Sequence, residues 1–144
     1  MIYTDLTKKA MKIAFKAHSG QLDKAGIPYI NHPLHLAEQM DDEASTCVAL
    51  LHDTIEDSNG IVTIESLMND CFPLRIIEAV RLLTHDENIA YMDYVAKLSH
   101  NQLARKVKIA DLKHNLDTTR LPKGKANKKQ DLYKKALDYL TSLG

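Results

Sequence analysis

The chain has 144 residues, 44% of them hydrophobic, with 19 Lys and Arg balanced by 19 Asp and Glu. That length lets one globular domain bury roughly 70% of the surface its unfolded form exposes, so neither a disulfide nor a metal is needed merely to hold a fold. The even charge argues against duplex nucleic acid as the main partner, since neutralising phosphates takes a basic excess, and leaves room for a small anionic ligand held by a local basic patch.

Along the chain the apolar spacing is helical almost throughout. Leu6, Ala10, Ile13, Ala14 and Ala17 recur at three- and four-residue steps and predict an amphipathic first helix, capped by Thr4 or Asp5 and ended by Gly20. "QLDKAGIPYINHP" is a loop punctuated by Gly26, Pro28 and Pro33, and Pro33 suits the first turn of a second helix through Leu34, Leu36, Ala37 and Met40. A third helix is predicted from Glu43 to about Ser58–Gly60. A short fourth follows with Thr63 as its cap, and a fifth starts at Pro73 with Ile76, Ile77, Val80 and Leu83 facing inward. "IAYMDYVAKLSH" and "QLARKVKIADLKHNLDTT" give the sixth and seventh helices, and "DLYKKALDYLTSL" the last, after the polar loop "LPKGKANKK". The predicted class is all-α, about eight helices, with residues 1–144 as a single domain and no strand pattern, repeat or linker. Cys47 and Cys71 stand far apart in apolar surroundings and read as reduced core thiols, which suits a cytoplasmic protein. No signal peptide or membrane span is expected.

Three polar clusters stand out against this apolar background. "ALLHDTIEDS" begins like a core segment and ends in His52, Asp53, Glu56 and Asp57. On one continuous helix His52 stands above Glu56 and Asp53 above Asp57, giving two polar rows at a helix end. Carboxylates near a helix C-terminus oppose the dipole, a cost that a cation removes. Asp111 follows Val107, Ile109 and Ala110, with Asn115 one turn on, and His32 sits in "PYINHP" immediately before a helix. His32, His52, Asp53 and Asp111 make a plausible shell for a divalent transition metal, mixed nitrogen and oxygen donors suiting Mn²⁺, Fe²⁺ or Zn²⁺. Neighbours on an ideal helix diverge by about 100°, so His52 and Asp53 meet one ion only close to the helix end. His18 reads as a loop tether, His35 as a rim residue, and Tyr91, Tyr94, Tyr133 and Tyr139 as core-edge residues. Lys123, Lys125, Lys128 and Lys129 read as a solvated basic loop.

In order and spacing, "AHSGQ", "KAGIPYINHP", "ALLHDTIEDS" and "VKIADLKHN" resemble the HD-domain metal-dependent phosphohydrolases, in particular the hydrolase domain of RelA/SpoT-type alarmone enzymes and the small alarmone hydrolases. The resemblance implies Mn²⁺ held by His32, His52, Asp53 and Asp111, with Glu56 and Asp57 placing and activating the attacking water. It implies nucleoside or sugar contact by Asn115, phosphate or base contact by Lys24, and removal of the 3′-pyrophosphate from guanosine tetra- or pentaphosphate. Lys108 and Lys113 are further candidates for balancing charge on the phosphates. One position departs from the family: Asp23 stands where an arginine usually packs against guanine. An anion there repels phosphate and leaves the base open, so an adenosine-based alarmone, a deoxynucleotide or a phosphorylated cofactor stands beside guanosine tetraphosphate (ppGpp). A non-catalytic nucleotide sensor or partner-binding helical domain is the alternative from another class. The intact Glu56–Asp57 pair weighs against it, since a sensor has no use for a water-activating carboxylate.

Overall fold

In the computed structural model, which describes residues 1–121 and 129–144, the predicted helices form in order. They are α1 (Asp5–Ala17), α2 (Asn31–Glu38), α3 (Glu43–Leu51), α4 (Thr54–Asp57), α5 (Ile64–Asn69), α6 (Leu74–Leu83), α7 (Tyr91–Leu98), α8 (Gln102–Asn115) and α9 (Gln130–Ser142). Among the described residues the only other pieces are a 3-10 turn at Thr118–Arg120 and an isolated bridge between Leu22 and Pro28. No helix among them is long and apolar enough to cross a membrane. Lys123, Lys125 and Lys128 of the basic loop lie outside the described residues.

The helix starts follow from capping chemistry. Thr4 and Thr7 form a reciprocal capping box on α1, and Thr63 and Ser66 form another on α5. Asp42 accepts the Ser45 N–H at the start of α3, and Asn101 accepts the Ala104 N–H at the start of α8. Each satisfies a backbone donor that the helix leaves orphaned. Pro73 is the N-cap of α6 rather than its first residue, and α2 begins at Asn31, so His32 lies just inside a helix instead of before one.

The core is organised around α3, in which every residue from Ala44 to Leu51 is buried. A helix apolar on all sides has to run through the interior, and α1, α2, α6 and α8 pack round it. The stripe α1 turns inward is small — Thr7, Ala10, Ala14, Ala17 — which lets the two helix axes approach closely. The predicted third helix is divided. His52 Nδ1 donates to the Ala49 carbonyl at 2.7 Å, and the Thr54 hydroxyl donates to the Leu51 carbonyl at 2.7 Å. These side chains capture carbonyls at the end of α3, and the chain turns before the single turn of α4.

Cys47 is buried as expected, but Cys71 is exposed. It follows α5 with φ of 65°, and the left-handed turn directs its side chain outward while Phe72 takes the buried place.

Candidate metal centre

Three helix ends meet at one place. The first turn of α2 delivers His32, the turn after α3 delivers His52 and Asp53, and the second half of α8 delivers Asp111 and His114. His32 Nε2 lies 2.8 Å from Asp111 Oδ1. His52 Nε2 lies 3.6 Å from that oxygen and 2.9 Å from Asp53 Oδ2. Ligand atoms of His32, His52 and Asp53 all fall within 4.8 Å of one another, and Asp111 joins them through its contacts with both imidazoles. His52 is 2% exposed, His32 3% and Asp111 5%. At that depth an unpaired charge is costly, so the groups must hold one another or a cation.

The donor set fits a divalent cation. With its Nδ1–H given to Ala49, His52 turns Nε2 inward, where that atom is buried and makes no hydrogen bond although Asp53 Oδ2 is near. Donors that are close yet misdirected toward each other are what convergence on a shared third point produces. Electrostatics couple the same groups. Burial opposes ionisation of His52, but the Asp53 and Asp111 carboxylates outweigh it and hold the imidazole well above its usual value. Burial likewise opposes the Asp53 anion, and the His52 charge beside it wins, leaving the carboxyl at about 2. Asp111 is held well below the carboxylate range, against burial, chiefly by the Lys108 ammonium 2.9 Å away.

A cleft of about 320 Å³ opens beside these groups. Glu56 faces it with Oε1 accepting the His85 backbone N–H at 2.5 Å, and burial followed by the nearby Asp53 and Asp57 charges raises its pKa. Asp57 is raised in the same way by burial and Asp53. Lys108 is buried with its ammonium 5.4 Å from the Tyr91 ring and 5.2 Å from the Tyr94 ring. The Tyr29 hydroxyl donates to Asp53 Oδ2, the oxygen nearest His52. Tyr29 and His85 escape a reading by motif. Tyr29 lies in plain view in "PYINHP", three residues before His32, but His85 acts through a main-chain N–H that no side-chain pattern carries.

No family model matches the chain. It is 33% identical over 129 residues to a GTP pyrophosphokinase of Myxococcus xanthus, an alignment covering 79% of this chain and 17% of that protein. It is 32% identical over 136 residues to a guanosine-3′,5′-bis(diphosphate) 3′-pyrophosphohydrolase of Borreliella burgdorferi, covering 83% of this chain and 20% of that one. The chain thus spans no more than a fifth of these relatives. A solved structure of a metazoan ortholog of SpoT that hydrolyses ppGpp superimposes with a TM-score of 0.74 at 23% identity, over 97% of this chain and 88% of the other. The chain has an HD-domain-like fold of the RelA/SpoT hydrolase family.

In this HD-domain fold the remaining candidate residues divide between two compartments. A second cavity of about 270 Å³ adjoins the first, and the two share Tyr29, Asn115 and Tyr133 as walls. Lys24, exposed on the loop after α1, lines the second cavity. Asn115 spans both, its amide donating to Asp111 Oδ1 at 3.1 Å. Asp23 is not the free, phosphate-repelling anion that its departure from the loop motif predicts. Its Oδ1 accepts the Ala25 and Ile27 backbone N–H groups at 2.8 and 3.0 Å, and its Oδ2 faces Arg120 at 3.8 Å. Arg120 in turn donates to the His114 carbonyl at 2.8 Å, so loop and 3-10 turn are joined across the HD-domain cleft. Lys113 is exposed and lines a separate groove with Arg105 and Lys106, which removes it from the phosphate-balancing candidates and leaves Lys24 and Lys108. His18 bonds Gln21, whose amide reaches the Asp57 carbonyl at 2.6 Å and ties the loop to α4.

Proposed function

We propose that the chain is a metal-dependent phosphohydrolase that cleaves a phosphate or 3′-pyrophosphate ester of a nucleotide, with ppGpp the first substrate to test. Mn²⁺ is the proposed cation, held by His32, His52, Asp53 and Asp111. The observation that carries the reading is the His52 Nε2 atom, buried, without a hydrogen bond, and converging with His32 and two carboxylates beside an open cleft. A cation bound there supplies Lewis acidity, polarising a phosphoryl oxygen and acidifying water.

The chain's own groups account for the rest. Glu56 takes the proton of the attacking water at Oε2, because Oε1 is held by the His85 N–H. Its raised pKa matches it to proton transfer nearer neutral pH than an ordinary glutamate. Asp57 orients that water. Attack forms a bond from water oxygen to phosphorus and breaks the bond from phosphorus to the 3′ oxygen. The 3′ oxygen departs and takes up the proton that Glu56 accepted from the water, and pyrophosphate is released. Lys108, fixed by Asp111 and two tyrosine rings, balances charge gathering on the phosphoryl oxygens. Asn115 and Lys24 extend the site toward sugar and base through the adjoining cavity. Residues 1–144 act in this reading as one catalytic unit on a small anionic nucleotide in the cytoplasm.

The test is a Mn²⁺-supplemented panel of guanosine and adenosine polyphosphates, deoxynucleotides and phosphorylated dinucleotide cofactors, scored for released phosphate or pyrophosphate. Pyrophosphate from ppGpp is expected, and turnover confined to adenosine compounds reassigns the base. Ligand-dependent melting shifts without product point instead to a sensor. His52→Ala and Asp53→Ala are expected to lose metal and turnover together, whereas Glu56→Ala keeps metal and loses about 10²–10⁴-fold in rate. Full turnover by a metal-free Asp53→Ala protein sinks the scheme.

A further inference from the structure

One enclosed imidazole has no part in that scheme. His114, in the last turn of α8, places Nδ1 2.6 Å from Nδ1 of His32, and both rings are buried. The two ring planes lie within 6° with centroids 4.9 Å apart. With the nitrogens so near, the rings meet edge to edge in one plane, as an in-line N–H···N hydrogen bond requires. His35 covers a face of His114, with centroids 4.0 Å apart and planes 20° apart, which restricts tilting of the ring.

Two nitrogens at that distance share one proton: two N–H groups clash and two lone pairs repel. The choice of owner decides what His32 does at its other nitrogen. A proton on His32 Nδ1, accepted by His114 Nδ1, leaves His32 Nε2 free to present a lone pair to the centre it faces. A proton on His114 Nδ1 forces the proton of a neutral His32 onto Nε2, where it points at Asp111 Oδ1, 2.8 Å away, and blocks coordination. We infer that His114 is the positioning residue that sets the His32 tautomer, accepting His32 Nδ1–H so that His32 Nε2 is presented bare to the cation. The arrangement parallels that of His52, whose Nδ1–H is taken up by the Ala49 carbonyl. A side chain performs for one ligand what the main chain performs for the other, and a side chain can be replaced. The inference rests on the metal-centre reading, and the experiment separates the two.

Imidazole ¹⁵N NMR on the wild-type protein loaded with Zn²⁺, a diamagnetic probe, is expected to show His32 protonated at Nδ1 and His114 at Nε2. A proton on His114 Nδ1 overturns the inference without any variant being made. Calorimetric Mn²⁺ titration supplies the second arm. His114→Phe keeps a flat ring but no acceptor and is expected to weaken Mn²⁺ binding about 10–100-fold, as loss of an outer-shell partner typically does. His114→Gln, which restores an acceptor oxygen, is expected to regain most of that affinity. Equal affinity in wild type and a folded His114→Phe protein overturns the inference, as does failure of His114→Gln to improve on His114→Phe. His32→Ala is the control: if it binds Mn²⁺ like wild type, the metal centre itself is misassigned. Loss in His32→Ala without loss in His114→Phe removes only the role given to His114.

Discussion

Asp23 carries the opposite charge to the one its loop motif predicts, and its neighbours explain how the position tolerates it. One carboxylate oxygen closes the turn by accepting the Ala25 and Ile27 N–H groups, and the other faces Arg120. Asp23→Arg therefore removes two loop hydrogen bonds and sets one guanidinium against another. The expected outcome is weaker nucleotide binding together with a lower melting temperature, and titration calorimetry beside thermal melting checks it. Restored guanosine binding by Asp23→Arg alone contradicts the role given to Arg120 in neutralising this loop. Glu56 carries a second expectation at this scale. Because burial raises its pKa, activity should fall on the acid side at a pH above the ordinary glutamate range, and Glu56→Gln should erase that limb from the pH–rate profile. His52, Asp53 and Asp111 are legible in the sequence because they close apolar runs, where a charged side chain needs a reason, and His32 and Glu56 are legible through the motifs that carry the family resemblance. His114, Tyr29 and Arg120 are not, because their parts depend on neighbours 82, 24 and 97 positions away in the chain.

At the level of elements, periodicity located nearly every helix and missed the break between α3 and α4. Thr54 and His52 are both compatible with a helix, so nothing in their spacing announces a turn. The break comes from side-chain donors that take the Leu51 and Ala49 carbonyls. Thr54→Val should therefore cost about 1–3 kcal/mol, since it leaves a buried carbonyl short of a donor, and should loosen Mn²⁺ binding by disturbing Asp53. Thr63→Ala, which removes the cap of α5 away from the centre, should cost about 1 kcal/mol and leave Mn²⁺ affinity unchanged. Denaturant melts and calorimetry on the pair distinguish damage to the break from general loss of stability. The proposed chemistry would be served by this break, since a continuous helix would splay His52 and Asp53 apart.

For the whole molecule, the proposed metal centre should tie stability to proton and metal concentration. His52 is raised well above its usual value in the metal-free fold because the Asp53 and Asp111 charges outweigh burial. A group raised on folding contributes its full stabilisation below its unfolded value and loses it as pH climbs through the folded one. His52's share of metal-free stability should thus decline above about pH 6.5. Metal binding runs the other way, because the imidazole must shed its proton to coordinate. The gap between metal-loaded and metal-free melting temperatures should widen between about pH 6 and about pH 8, and should be flat in His52→Ala.

The rod that ends in His52 is also the best-shielded stretch among the described residues, with neighbours on every side. Its amides have no cheap local way to reach deuterated solvent, so Val48 and Leu50 should exchange only when the entire protein opens. Saturating Mn²⁺ should then slow those deep amides by the same factor as it retards global opening, while the exposed turn around Ile61 stays fast. A ligand held at the tip of such a rod is felt along its whole length.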